Sequence, residues 1–270
     1  SIKLAEMLAE DENKVYSYGQ EKSEEIVENN YIEKCRNLNL AIEKSEFIVA
    51  PVPFTSDGVN INCSFSEEKI PIEELLKNNK TKTFFAGSIN NENLKKLKEK
   101  YLDVIDIMKR EELAVLNTIA TAEGTIEVAI KNTGKILQGA NVLVLGFGRV
   151  AKIVAAKFNN LSAKVTVAAR KITDLAWIEA YGYNSLDINN MLYDLKDFDI
   201  IINTVPQTII KERELKHMNS DVLLIDLASQ PGGIESKVAI NMGIKFVWAL
   251  ALPRKGCTNY ICKIYKRNNL

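Results

Sequence analysis

A short apolar run, Val142 to Leu145, ends in Gly146-Phe147-Gly148 with a helix-like stretch directly behind it, and that conjunction limits this chain to a few folds. The run reads as a strand, and residues 149–158 as a helix with Val150, Ile153, Val154 and Phe158 on one face. In such a strand–turn–helix unit Gly146 allows the tight turn, and Gly148 removes the side chain that would keep the backbone from a pyrophosphate. Ala151 lets the helix pack closely on its strand. Phosphates would meet free N–H groups where the helix opens, at Arg149 and Val150. The stretch is therefore expected to be a dinucleotide-binding turn, with Arg149 either adding to the phosphate pocket or serving as a surface cation.

The next strand, 164–169, ends in Arg170-Lys171, where an NAD-specific protein would place an acidic residue for the ribose 2′-hydroxyl. Two cations there favour a 2′-phosphate and hence NADP. The alternative is a pair of solvated loop charges.

A chain of 270 residues with 46% hydrophobic content can bury a large core, as two domains or one large α/β unit. Lys plus Arg and Asp plus Glu are each 35, so nothing electrostatic points to nucleic acid or an acidic membrane. Cys35, Cys63, Cys257 and Cys262 show no paired metal spacing, and no metal is expected. Neither a signal peptide nor an apolar run long enough to cross a bilayer is read, so reduced cytoplasmic thiols are the default. The single histidine, His217, sits in a polar helical stretch, which argues against histidine-driven acid–base chemistry.

Strand-like and helix-like segments alternate along the chain, which predicts parallel sheets with crossover helices. Strands are expected near 14–18, 47–52, 83–86 and 104–108, then at 199–203, 222–226 and 244–248. The expected fold is two-domain α/β: a smaller flavodoxin-like N-terminal domain over 1–118, a linking helix over 119–136 and a Rossmann-type doubly wound NADP-binding domain over 137–253. A chain that starts with a helix at 2–9 lacks the strand with which a doubly wound domain begins, so a first strand and its turn are expected ahead of Ser1. In the linking helix Thr121 is read as N-cap, Glu123 as a first-turn acid and Gly134 as the C-terminal stop. Three later strand ends, Asn203-Thr204-Val205-Pro206, Asp226-Leu227-Ala228 through Gly233, and Ala249 through Leu252-Pro253, should converge at the carboxyl edge of the sheet, where such folds bind ligands.

Taken with Pro51-Val-Pro-Phe-Thr55-Ser56-Asp-Gly58, Gly87-Ser88-Ile89 and Asn117-Thr-Ile-Ala-Thr121-Ala-Glu123-Gly-Thr-Ile126, these stretches resemble the A subunit of dipicolinate synthase from endospore-forming bacteria over most of the chain. The resemblance implies an oxidoreductase that uses NADP to form pyridine-2,6-dicarboxylate from a dihydrodipicolinate-type precursor. It also implies a partner, the flavoprotein-like B subunit of that enzyme, and the cytoplasm of the sporulating mother cell as location; a homo-oligomer is left open. Aromatising a dihydropyridine ring needs hydride acceptance plus loss of one proton, so positioning should supply most of the catalysis. A dicarboxylate substrate would meet hydroxyls and N–H groups at Thr55, Ser56, Gly87, Ser88 and Thr121. Arg110 either pairs with a substrate carboxylate or is solvated among Lys109, Glu111 and Glu112, and Glu123 either accepts the proton or only caps its helix. Two other classes stay open: a nucleotide-binding subunit with little catalysis of its own, and an NADP-dependent reductase of another cyclic acid.

The chain departs from the family pattern twice. Ala120 stands where the family has proline, which loosens the turn expected before the linking helix. After Leu252-Pro253 the family continues with Gly-Lys-Val-Ala-Pro and a helix, whereas Arg254 to Leu270 is basic and lacks helical periodicity. One extra base after the Pro253 codon would convert the former into the latter, so 254–270 is expected to be a frameshifted tail in which Cys257 and Cys262 carry no function; an unbroken frame on resequencing would overturn this.

Overall fold

The computed structural model describes residues 2–23, 29–66, 68–77 and 79–249. The chain divides into two compact units, with the boundary between Ala114 and Val115. Leu252, Pro253 and the 254–270 tail, with Cys257 and Cys262, lie outside the described residues.

The first unit contains α1 (Ile2–Glu10), β1 (Val15–Ser17), β2 (Ile32–Lys34), α2 (Leu38–Lys44), β3 (Phe47–Val49), β4 (Asn79–Ala86), α3 (Asn91–Lys98) and β5 (Tyr101–Asp106). Asn37 and Asn90 start α2 and α3, each side chain accepting an N–H two or three residues into its helix. The strands form two parallel sheets, β1-β2 and β3-β4-β5. Their core is aromatic: Phe84 is fully buried, with Phe54 5.7 Å and Tyr101 4.9 Å from it between ring centroids. β1 and β3 flank a cavity of about 770 Å³ lined by Ala5, Leu8, Val15, Tyr16, Phe47 and Val49.

Several strand bounds differ from expectation, β4 beginning at Asn79 rather than 83. β3 stops at Val49 rather than 52, because Pro51 and Pro53 have no N–H for a ladder. β5 begins at Tyr101 rather than 104, and β2 was not anticipated; with one buried residue in three it carries no alternation to read.

α4 (Glu111–Asn132) leads into the second unit, followed by β6 (Asn141–Leu145), α5 (Arg149–Asn160), β7 (Lys164–Ala169), α6 (Ile172–Ala180), β8 (Asn184–Asp187), β9 (Ile200–Asn203), α7 (Glu212–Leu215), β10 (Leu223–Asp226), α8 (Ser236–Asn241) and β11 (Lys245–Trp248). The six strands are all parallel, in the order β8-β7-β6-β9-β10-β11. Counted from β6 this is 3-2-1-4-5-6, the doubly wound order expected, with its reversal point between β6 and β9. Val142, Leu143, Val144, Leu145, Ile200, Ile201 and Ile202 are all fully buried, as strands covered by helices on both faces must be. One face packs on α4 and α5 through Ala122, Val128, Ala151, Val154 and Phe158; the other holds Leu143, Leu145, Ile201, Leu224 and Ile244. β8 was not anticipated, because Asn184-Ser-Leu-Asp187 is too polar to stand out.

The linking helix differs from its reading. It begins at Glu111, so Thr121 lies in the helix interior, donating its hydroxyl to the Asn117 carbonyl at 3.2 Å, and caps nothing; Glu123 is not in the first turn. Ala120, 1% exposed, belongs to the same continuous helix, so no turn stands before it to be loosened. By length and composition α4 could cross a membrane, contrary to the expectation that no such run exists. Ala122, Val128 and Ala129 nonetheless sit in the core of the second unit.

Candidate functional site

Gly146 follows the last residue of β6 at φ +97°, a backbone region that L side chains rarely adopt, and its N–H donates to the Ala168 carbonyl at 2.8 Å. A Cβ there would fall 2.7 Å from Thr204 Oγ1 and 2.9 Å from Val205 Cγ2, so the turn and the loop after β9 fit against each other only with glycine. Gly148 is the N-cap of α5 and has no side chain capping the first helical N–H groups; open space surrounds the position its Cβ would take. No side chain caps the leading amides of this twelve-residue helix, which opens at the switch point. Val150 packs half-buried on the core, and Arg149 is exposed on the first turn. Arg170 and Lys171 are exposed directly after β7, the strand beside β6. The glycine turn and the helix start behind it fit a dinucleotide phosphate.

The loop after β9 is tied to the end of β6: the Thr204 N–H and hydroxyl both donate to the Leu145 carbonyl, at 3.1 and 2.8 Å. Val205 and Pro206 continue it. The loop after β10 starts with the Leu227 N–H donating to the Asn203 carbonyl at 2.9 Å, and Ala228 follows. Asn203 and Asp226 differ from what was expected of cofactor-binding residues, since their side chains are 0% and 1% exposed and bond to each other. Leu252 and Pro253 lie outside the described residues.

In the first unit, strand ends at the carboxyl edge gather four of the expected substrate residues. The Phe54 N–H donates to the Gly87 carbonyl at 2.7 Å, stapling the Thr55-Ser56 loop to Gly87-Ser88, and Asn93 Nδ2 reaches the Gly58 carbonyl at 3.1 Å. Thr55 is spent on its own turn, where its hydroxyl accepts the Gly58 N–H at 2.9 Å. The Asn60 side chain and the N–H groups of Asn60 and Val59 hold the Asp57 carboxyl well below the usual carboxylate range. Ser56 and Ser88 stay exposed. Ser88 is left-handed at φ +56°, and a residue not singled out from sequence holds it there: buried Asp106 accepts from the N–H groups of Ser88 at 3.0 Å, Ile89 at 3.1 Å and Met108 at 3.1 Å. A lone acid ending a strand gives no signal of that role.

Arg110 pairs with the neighbouring Glu112, Nε to Oε1 at 2.8 Å. Glu123, half-exposed, pairs with Lys157 Nζ at 2.8 Å. Lys157 is eight residues beyond Arg149, about 12 Å along α5 from the glycine turn, so the structure does not group Glu123 with that turn. His217 is a half-buried residue against Tyr193, and among the described residues no cluster of three or more His, Cys, Asp or Glu is arranged to hold a metal.

Residues 1–108 match the family model for the N-terminal domain of the dipicolinate synthase A subunit, and residues 113–231 that of D-isomer specific 2-hydroxyacid dehydrogenase, NAD binding domain. The chain is 32% identical over 222 residues to the A subunit of dipicolinate synthase of Bacillus subtilis, which is 82% of this chain and 75% of that protein. The solved structure of the A subunit of dipicolinate synthase from Bacillus halodurans superposes with a TM-score of 0.87 at 31% identity, over 98% of this chain and 91% of that one. A shikimate dehydrogenase (NADP(+)) of Methanococcus maripaludis is 28% identical over 158 residues, 49% of this chain and 55% of that protein. An uncapped helix behind a glycine turn at the switch point of a doubly wound sheet agrees with these matches: this is an oxidoreductase that binds a nicotinamide dinucleotide. With both units matched in order along one chain, it belongs to the family of dipicolinate synthase A subunits.

Proposed function

We propose that the chain dehydrogenates a dihydrodipicolinate-type precursor to dipicolinate with NADP as hydride acceptor. The observation that carries the cofactor choice is the pair Arg170 and Lys171, exposed at the end of β7 where an acid would select NAD. Similarity to an NADP(+)-dependent shikimate dehydrogenase supports the same choice, and family membership supports the substrate. Bound at the glycine turn, the dinucleotide supplies the hydride acceptor. Gly146 and Gly148 admit its pyrophosphate to the N–H groups of α5, Arg149 adds charge beside them, and Thr204 to Pro206 and Leu227-Ala228 line the next strand ends. Ser56, Ser88 and Arg110 are assigned to the substrate carboxylates, with the Gly87 turn fixing Ser88. Because aromatisation is downhill, orientation of ring and acceptor is the main demand on the protein. The B subunit of dipicolinate synthase is the proposed partner, and the mother-cell cytoplasm the proposed location.

The test is NADPH absorbance on adding dihydrodipicolinate, generated in place, to the chain with NADP, alone and with the B subunit. Turnover with NADP that drops with NAD supports the reading. Binding of NADPH without turnover in either mixture would leave a nucleotide-binding subunit in its place. Arg170→Ala should weaken NADPH about tenfold and leave NADH unchanged, since a phosphate–arginine pair is worth roughly 1–3 kcal/mol; equal affinities for both dinucleotides in the parent would reject NADP.

A further inference from the structure

The loops 204–206 and 227–233 are held by more than their strands. Fully buried Asn203 donates from Nδ2 to Asp226 Oδ1 at 2.7 Å and to the Val205 carbonyl at 3.0 Å, and its Oδ1 accepts the Val205 N–H at 3.1 Å. Asp226 accepts two further N–H groups, from Ala228 on Oδ1 at 3.0 Å and from Gly233 on Oδ2 at 2.8 Å. Every amide hydrogen of Asn203 and both oxygens of Asp226 are therefore used inside the protein. The fit is close: a Cβ on Gly233 would fall 2.1 Å from Asn203 Nδ2. Trp248 closes the other side, its Nε1 donating to the Ala228 carbonyl at 3.0 Å.

A carboxylate buried among N–H donors costs more than an apolar pair would, while ladders already join β9 to β10 and β10 to β11. What the network adds is a fixed position for the two loops. That position has a place in the dinucleotide reading, on which this inference rests. The strands run β7, β6, β9, β10; with the adenosine ribose at the end of β7 and the pyrophosphate at β6, the nicotinamide falls to the ends of β9 and β10. We propose that Asp226 is a positioning residue that locks the loops after β9 and β10 into one preformed wall for the nicotinamide half of the cofactor. Ser229 and Gln230, exposed on that wall, are the side chains it presents to the reacting end of the site.

Trp248 is a built-in reporter, since Trp177 is the only other tryptophan. In a Trp177→Phe background, NADPH titration should change Trp248 emission. Asp226→Asn turns an NH₂ group toward either the Asn203 and Ala228 donors or the Gly233 donor. It should weaken NADPH about tenfold and abolish the emission change, beyond any shift in melting temperature. Trp248→Phe removes the N–H to Ala228 together with part of the ring, and should weaken NADPH a few-fold, read from NADPH emission; it decides the matter if Asp226→Asn does not fold. Parent affinity retained in the folded variants would overturn the positioning role alone. A parent that binds neither NADPH nor NADH would overturn the cofactor reading, and this inference with it.

Discussion

The two units both present loops at the carboxyl edge of parallel strands, yet they hold those loops differently. In the second unit one continuous six-stranded sheet buries its central strands on both faces, and the glycine turn, the Thr204 loop and the Asp226 loop spring from adjacent, laddered strand ends. In the first unit the strands divide into a pair and a triplet, and Phe47 and Val49 of β3 are 53% and 45% exposed. There, side chains join loops that no shared sheet aligns: Asp106 fixes Ser88 and Ile89, Asn93 fixes Gly58, and Asp57 fixes its own turn. Both units fix their loops with buried polar side chains, Asn203 and Asp226 in the second and Asp106 in the first; only in the second do those loops also spring from one continuous backbone ladder.

The largest expected effect tests the second unit's backbone logic by setting two glycines against each other. Gly146→Ala must place a Cβ in a left-handed turn against Thr204 and Val205, so it should lose about 1–3 kcal/mol of stability and at least about a hundredfold in NADPH affinity. Gly148→Ala meets no neighbour and should keep the parent melting temperature while losing dinucleotide affinity. If Gly148→Ala binds NADPH as the parent does, the pyrophosphate does not approach α5.

The first unit should give way first in alkali. Burial pushes the Tyr101 phenol from 10.0 up to about 12, with its hydroxyl donating to the Leu75 carbonyl at 2.9 Å. A raised acid pKa keeps its stabilisation below the unfolded value: between about pH 10 and 12 the unfolded chain loses this proton first, so stability falls as pH rises, by up to about 3 kcal/mol. Urea midpoints measured across that range should fall steeply for the parent and less for Tyr101→Phe; parallel curves would show that the phenol is not the cause.

The smallest effect concerns Glu123. Its ion pair with Lys157 is largely exposed and worth roughly 0–1 kcal/mol. Glu123→Gln should therefore leave melting and turnover close to the parent values; a drop in kcat without a change in KM would restore Glu123 as proton acceptor.

Much of the second unit was legible because its elements are locally consistent. The apolar runs at 142–145 and 200–202, the glycine turn and the helix with Ala151, Val154 and Phe158 each satisfy their own pattern before any tertiary contact forms. β2 and β8 were not legible, since three or four residues with a single apolar one among them become a strand only when a neighbour offers a ladder. The helix start at Glu111 was missed because Thr121, Glu123 and Gly134 imitate a capped helix, and only the continuity of residues 111–120 on the core distinguishes an interior threonine from a cap.

By itself, then, the sequence determined the α/β class, the glycine turn that opens α5 and the family, all of which rest on short-range patterns and residue identities. The tertiary structure decided which polar residues stay exposed at the strand ends and which hold the frame. Asn203, Asp226 and Asp106 have the composition of site residues, but each is buried with its hydrogen-bonding capacity engaged by N–H groups or partners from separate segments. Partnership across such distances along the chain is fixed by sheet order and packing, which no local pattern records.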